Sequence, residues 1–213
     1  TPPAAVFNDT HFLTTLDDAE WPSGISEAIK VALIKDASFF SWLEENAQKM
    51  VHRDMDVMQY QIKRCAELHL AHIAGADPFE SGSSRPLDFG HWSAHKLEQL
   101  SNFTIRHGEA VAIGIALDTV YSFLSGRLTE PLMKRVLELI RDLRFPLTDP
   151  LLEVTDARSP LLEGLNEFRE HLGGRLTIML LRDIGKGEEV HEIDPALVRR
   201  ASEWIKEYSL AKA

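Results

Sequence analysis

Pro86-Leu-Asp-Phe-Gly-His-Trp-Ser-Ala-His-Lys-Leu-Glu98, followed after a short polar turn by Arg106-His-Gly-Glu-Ala-Val-Ala-Ile-Gly114, is the stretch on which the fold turns. His91 and His95 stand four residues apart, which is one face of a helix if the segment is helical. His107 then opens a run to about Phe123 that is apolar on every side. A helix without a polar face has to be buried, so this run is expected at the centre of a helical core, with imidazoles at its edge. Gly114 interrupts it at a cost of about 1 kcal/mol relative to Ala, which predicts a close helix contact there.

A second all-apolar helix lies upstream. It starts at Pro22-Ser-Gly-Ile-Ser26 and runs to about Lys35, with Ile25, Ala28, Ile29, Val31, Ala32, Leu33 and Ile34 covering nearly every face. Glu27 and Lys30, three residues apart, are the exceptions. A buried ion left alone is very costly, so these two must be paired, shifted in protonation or bound to a metal.

Working outward, Ala37 to about Val51 reads as a helix packed through Phe39, Phe40, Trp42 and Leu43, and Asp54 to Ala74 as a long amphipathic helix closed by Gly75. Residues 76–85 form a loop rich in turn formers, a usual place for function. Glu130 to Leu143 repeats the amphipathic pattern with Pro131 in its first turn. Asp149-Pro and Ser159-Pro each read as a capped helix start, the second running to Leu172. Arg175 to Leu181 is the one strand, expected to pair with Glu189 to Ile193 across Ile184-Gly-Lys-Gly187. Asp194-Pro195 caps a last helix through Trp204 and Tyr208. The lead-in Thr1 to Asp9 lacks an initiator Met and reads as part of a longer protein, and His11 to Leu16 as a short apolar turn. The expected architecture is mainly α, a single domain over 1–213 with one small β-hairpin.

The 213 residues carry a formal charge of -10, which argues against a nucleic-acid backbone or an anionic membrane as partner. A small anionic substrate stays open, because net charge does not describe the field inside a pocket. No run approaches the length of a membrane span and no signal peptide is visible. Cys65 is the only cysteine, which excludes an internal disulfide and fits a reducing cytoplasm.

Two or three histidines with one carboxylate make the donor set of a catalytic zinc site with a position left open. The competing reading is a pair of hydrogen-bonded interfacial histidines. At a helix N-terminus the positive end of the dipole disfavours imidazolium, which keeps His107 fit for a metal. Zinc or a similar divalent ion is expected, with the choice of histidines open. Lys30 is read as an anion binder rather than a packed cation, Glu109 as a first-turn carboxylate, and His52, His69, His72 and His191 as surface or core residues.

Taken in order, Asp9…Phe12-Leu-Thr-Thr-Leu16…Ser23-Gly-Ile-Ser-Glu-Ala-Ile-Lys30, Asp77…Glu80, Leu87-Asp-Phe-Gly-His91…His95, His107-Gly-Glu-Ala-Val-Ala-Ile-Gly114 and Leu180-Leu-Arg-Asp-Ile-Gly-Lys186 resemble 3-dehydroquinate synthase and the wider sugar phosphate cyclases, over almost the whole chain. The resemblance is to their helical C-terminal domain. It implies Glu27, His91 and His107 as metal ligands, for zinc or another ion such as cobalt, and leaves His95 on the substrate side, contacting phosphate or relaying a proton. Lys30 matches a substrate-binding lysine, Phe12, Thr15 and Leu16 a segment lying against NAD, and Glu80 an acidic loop residue near the reacting centre. The implied chemistry is NAD- and metal-dependent: a ring alcohol is oxidised, phosphate is eliminated, the hydride returns and an aldol step closes a carbocycle. A sugar-phosphate substrate and a homodimer follow from the same likeness.

Several positions depart from the family pattern. Asp88 replaces a usual Asn, Ser84 a usual Arg with Arg85 one place late, Leu70 a usual Lys and Trp92 a usual Thr, while Arg169-Glu-His171 stands where a Lys pair is usual. Asp88 and Arg85 remain candidates at the substrate. The losses point to a different substrate, and Leu-Asp-Phe-Gly-His-Trp is similar to a divergent subgroup of the ebo-cluster type. The chain contains no glycine-rich strand-loop-helix of the kind that carries NAD in this family, so it is expected to bind metal and to turn over little by itself. The alternatives are a metal-dependent polyol or alcohol dehydrogenase and a non-catalytic helical interaction domain.

Overall fold

A computed structural model of the chain describes residues 4–73, 88–156, 158–171 and 174–212. The helix starting at His107 is the axis of the molecule. Called α5 below (His107–Leu124), it is buried from Ala110 to Ser122 and touches most of the other elements. Before it come α1 (Ser23–Lys35), α2 (Ala37–Val51), α3 (Met55–Ile73) and α4 (His91–Leu100), and after it α6 (Glu130–Asp142), α7 (Pro160–His171), the hairpin β1 (Ile178–Asp183) and β2 (Lys186–Val190), and α8 (Pro195–Ala211). The fold is the mainly helical one, with a single antiparallel two-stranded sheet among the described residues.

Local chemistry sets most boundaries. The Asp36 carboxylate accepts from Phe39 N at 3.0 Å and starts α2, and Asp194 accepts from Ala196 N at 2.8 Å ahead of α8. The first turn of α6 contains Pro131, where no amide donor is required. Behind Asp149-Pro150, by contrast, the expected helix is a single 3-10 turn, Pro150–Leu152, although Asp149 does accept from Leu151 N. The cap is present, but the turn is followed by extended backbone at Glu153.

The hairpin also differs from expectation. Its strands run Ile178–Asp183 and Lys186–Val190, so the turn is Ile184-Gly185 rather than four residues, with Ile178 opposite Val190. Gly185 sits at φ 81°, where a residue with a side chain is strained, and an irregularity between Leu181 and Asp183 absorbs the offset in register.

Two glycine contacts pull the N-termini of α1, α4 and α5 together. A Cβ on Gly108 would overlap the Ser23 backbone at the start of α1. One on Gly114 would overlap the carbonyl oxygen of Gly90, the residue before α4. Only bare backbone allows both approaches.

Candidate metal centre

Three side chains converge where those N-termini meet. Glu27 lies one turn into α1, His91 is the first residue of α4 and His107 the first residue of α5. Glu27 Oε1 is 3.3 Å from His91 Nε2 and 3.4 Å from His107 Nε2, and one ligand atom from each residue falls within 4.8 Å of the others. Glu27 Oε2 is paired with Lys30 Nζ at 2.5 Å, and that ammonium also lies 3.5 Å from His91 Nε2. Lys30 is 6% exposed, so its charge is answered inside the cluster.

The protons of the rings follow from their other contacts. His91 Nδ1 is 3.1 Å from the carbonyl oxygen of Phe89, which can only accept, so Nδ1 carries the hydrogen and Nε2 its lone pair. His107 Nδ1 donates to Glu98 Oε1 at 3.2 Å, and His95 Nδ1 to Glu98 Oε2 at 3.1 Å. Glu98 therefore orients both rings. Histidine metal ligands are commonly held through their second nitrogen in this way.

The donors fit a divalent ion. Two imidazole lone pairs and a carboxylate oxygen face one another, and Glu27 Oε1 is buried with no hydrogen-bond partner. Burial pushes the Glu27 carboxyl up, and the Lys30 ammonium on its other oxygen pulls it down against that rise. It is an anion ready to coordinate.

The sequence candidates divide as follows. Glu27, Lys30, His91 and His107 are together, and the His95 ring lies beside them, 5.5 Å from that of His91, with its side chain 53% exposed. Leu16 lines a cavity of about 350 Å³ shared with Glu27 and Lys30, whereas Phe12 is 69% exposed and Thr15 Oγ1 is turned back on the Phe12 carbonyl. Asp88 lines a different cavity, between α4 and α7, with Trp92, His95, Lys96 and Glu167. Glu80 and Arg85 lie outside the described residues.

Three residues at the site were not singled out in the sequence. Glu98 stands three residues after His95, a spacing that could have marked it. His69, read as a surface or core residue, lines the cavity beside Glu27. Asp118 is the buried acid of the apolar helix α5. Its carboxylate accepts from Gly90 N and Trp92 Nε1, both at 2.9 Å, and so fixes the Gly90 backbone and the Trp92 side chain on either side of His91. Burial pushes the Asp118 carboxyl up to about 7 against the pull of these two donors.

Comparison with known proteins gives the family and the fold. Residues 24–162 match the family model described as 3-dehydroquinate synthase C-terminal. The 3-dehydroquinate synthase of Pseudoalteromonas atlantica is 32% identical over 198 residues, which cover 92% of this chain and 55% of that protein. Among solved structures, ValA, a 2-epi-5-epi-valiolone synthase from Streptomyces hygroscopicus with NAD+ and Zn2+ bound, superposes with a TM-score of 0.85 at 29% identity, covering 94% of this chain and 55% of that one. A 2-deoxy-scyllo-inosose synthase with NAD+ and Co2+ shares the fold, at a TM-score of 0.73 and 18% identity. The chain thus spans about half the length of the relatives it matches.

Proposed function

The chain belongs to the 3-dehydroquinate synthase C-terminal family, and from that membership we propose that it is the metal-binding catalytic half of a sugar phosphate cyclase, a lyase that eliminates phosphate from a sugar phosphate and closes a carbocycle. The observation that carries this reading is the convergence of Glu27, His91 and His107 on one point, with both ring Nδ1 atoms already engaged.

Glu27, His91 and His107 would hold a divalent ion, zinc or cobalt. When bound, such an ion supplies a Lewis acid for the substrate's hydroxyls, and NAD supplies the hydride acceptor. Lys30 holds the second oxygen of Glu27 and lines the cavity beside it, where its positive charge favours an anionic substrate. His95, its Nδ1 engaged by Glu98 and its side chain half exposed, presents Nε2 as the group that contacts phosphate or relays a proton. Phe12, Thr15 and Leu16 lie against NAD, and Glu80, Asp88 and Arg85 belong to the substrate side. The active form is a cytoplasmic homodimer that joins this half to a glycine-rich NAD domain, and the half alone turns over little. Support comes from the donor set, the family match and the length of the relatives.

Metal analysis of the purified chain tests the reading. About one divalent ion per chain is expected, lost in both Glu27→Ala and His107→Ala. Stoichiometric metal that survives both substitutions overturns it. In the full-length protein, inorganic phosphate should be released from a sugar phosphate without net NADH, whereas a polyol dehydrogenase would build NADH up.

A further inference from the structure

Asp118 is 2% exposed, in the buried run of α5, and is not among the metal donors. A carboxyl is costly to bury, so its retention needs a reason. Its two oxygens have separate partners. Oδ2 accepts from Gly90 N and Oδ1 from Trp92 Nε1, both at 2.9 Å. Gly90 and Trp92 are themselves buried, so water does not stand in for either bond. Only a carboxyl brings two acceptors to this point, since the amide of an asparagine brings one acceptor and a donor.

The two partners flank a metal ligand. Gly90 precedes α4 at φ 77° and has no side chain with which to cap that helix. Its amide is one of the donors that a helix start leaves without an internal partner, and Asp118 supplies the partner from α5. His91 comes next, its Nδ1 3.1 Å from the Phe89 carbonyl oxygen of the same turn. The ring is therefore oriented by a backbone turn that Asp118 holds in place. On the other side, Trp92 stands where the family pattern has Thr, so the pairing of indole and carboxyl is a feature of this chain rather than of that pattern.

We propose that Asp118 is a positioning residue for the metal centre: by accepting from Gly90 N and Trp92 Nε1 it fixes the first turn of α4 so that His91 Nε2 faces Glu27 and His107. This rests on the metal-site reading above and extends it beyond the ligands, since Asp118 acts through Gly90 and Trp92 and not by coordination.

The test is the zinc affinity of the chain, by chelator competition at a temperature where circular dichroism shows each variant folded. Asp118→Asn keeps the shape but offers one acceptor to two donors, and should bind zinc about tenfold more weakly. Trp92→Phe removes the indole donor and leaves the Gly90 bond, so it should stay within a few-fold of the parent. The double variant Trp92→Phe/Asp118→Asn matches one acceptor to the one donor that remains. It should recover to within a few-fold of Trp92→Phe, a rescue that two independent core losses would not give, because those would add. Val120→Ala, a truncation at a buried position of the same helix, should lower the melting temperature and leave zinc affinity unchanged. Parent-like affinity in Asp118→Asn, a double variant no tighter than Asp118→Asn, or an equal loss in Val120→Ala overturns the proposal and leaves the metal site standing. A parent chain that binds no zinc sinks the metal-site reading instead. Where Asp118→Asn does not fold, the double variant decides: affinity within a few-fold of Trp92→Phe supports the proposal, and a tenfold weaker one overturns it.

Discussion

Two imidazole lone pairs and a carboxylate oxygen do not face one another in a folded protein without a positive charge to join them. Lys30 supplies part of that charge, but its ammonium is engaged by the other Glu27 oxygen, and the proposed divalent ion would complete the arrangement. Glu98 decides how well. Its two oxygens hold the Nδ1–H of His95 and of His107, and in Glu98→Gln one of those donors meets an amide N–H₂ instead. Zinc affinity of that variant, measured by chelator competition, should fall about 10- to 100-fold with the fold intact. Asp118 makes a prediction in pH. Its folded pKa of about 7 is raised above the unfolded value of 3.8, so the native state keeps a proton that the unfolded chain has already released. Its contribution to stability is therefore full below the unfolded pKa and is lost as pH rises through about 7. Relative to Asp118→Asn, the parent should lose roughly 1 kcal/mol per pH unit across that window, read from denaturant midpoints; parallel profiles would show that the carboxyl is already ionised throughout. Glu27 and Lys30 were legible in the sequence because two charges in an apolar helix demand a partner. Glu98 was not, because a carboxylate on an amphipathic helix demands none. His69 was missed because only the packing of α3 against α1 brings it to the cavity.

The elements that carry these residues meet through backbone, and that sets a different kind of vulnerability. Gly90 sits at φ 77° and its carbonyl abuts Gly114 while accepting from Ala94 N at 3.3 Å, the first helical bond of α4. A methyl group at position 114 pushes that carbonyl, and His91 with it, away from α5. Gly114→Ala is therefore expected to cost about 1–3 kcal/mol and to weaken zinc as well, although Ala is the better helix former by about 1 kcal/mol. Gly24→Ala is the control. Its Cβ would meet nothing within 4 Å, so thermal melts should show it unchanged or slightly stabilised. The mid-helix glycine signalled a close contact from sequence alone, but the identity of its partner needed the fold, since Gly90 lies in a turn before a different helix. The start of α8 was legible because an acidic cap, Asp194, precedes an apolar period. The same signal at Asp149 overreached, because a cap satisfies a first turn whether or not a second one follows. The hairpin turn was read too long because its short Ile184-Gly185 connection depends on a left-handed Gly185, which leaves no pattern in hydrophobicity.

Across the whole molecule the site joins segments that only folding brings together, since Glu27 lies 64 positions before His91 and His107 another 16 beyond it (91 − 27 and 107 − 91). An ion held by α1, α4 and α5 at once binds the native chain and not the unfolded one, so its affinity appears as stability. At a free zinc concentration a thousandfold above the dissociation constant the gain is about 4 kcal/mol, which for a chain of this size raises the melting temperature by roughly 10 °C. Chelator should reverse the shift, and Glu27→Ala should melt at the same temperature with and without zinc. Nothing in the apolar core depends on that ion. The core runs without interruption from Ile25 through α5 to Val198 and Ile205 on α8, so the chelated protein should keep its helical circular dichroism at 25 °C and lose only the increment. Loss of the helical signal on chelation would instead make the ion a structural one, buried in the folding of the domain rather than placed at its surface for a substrate.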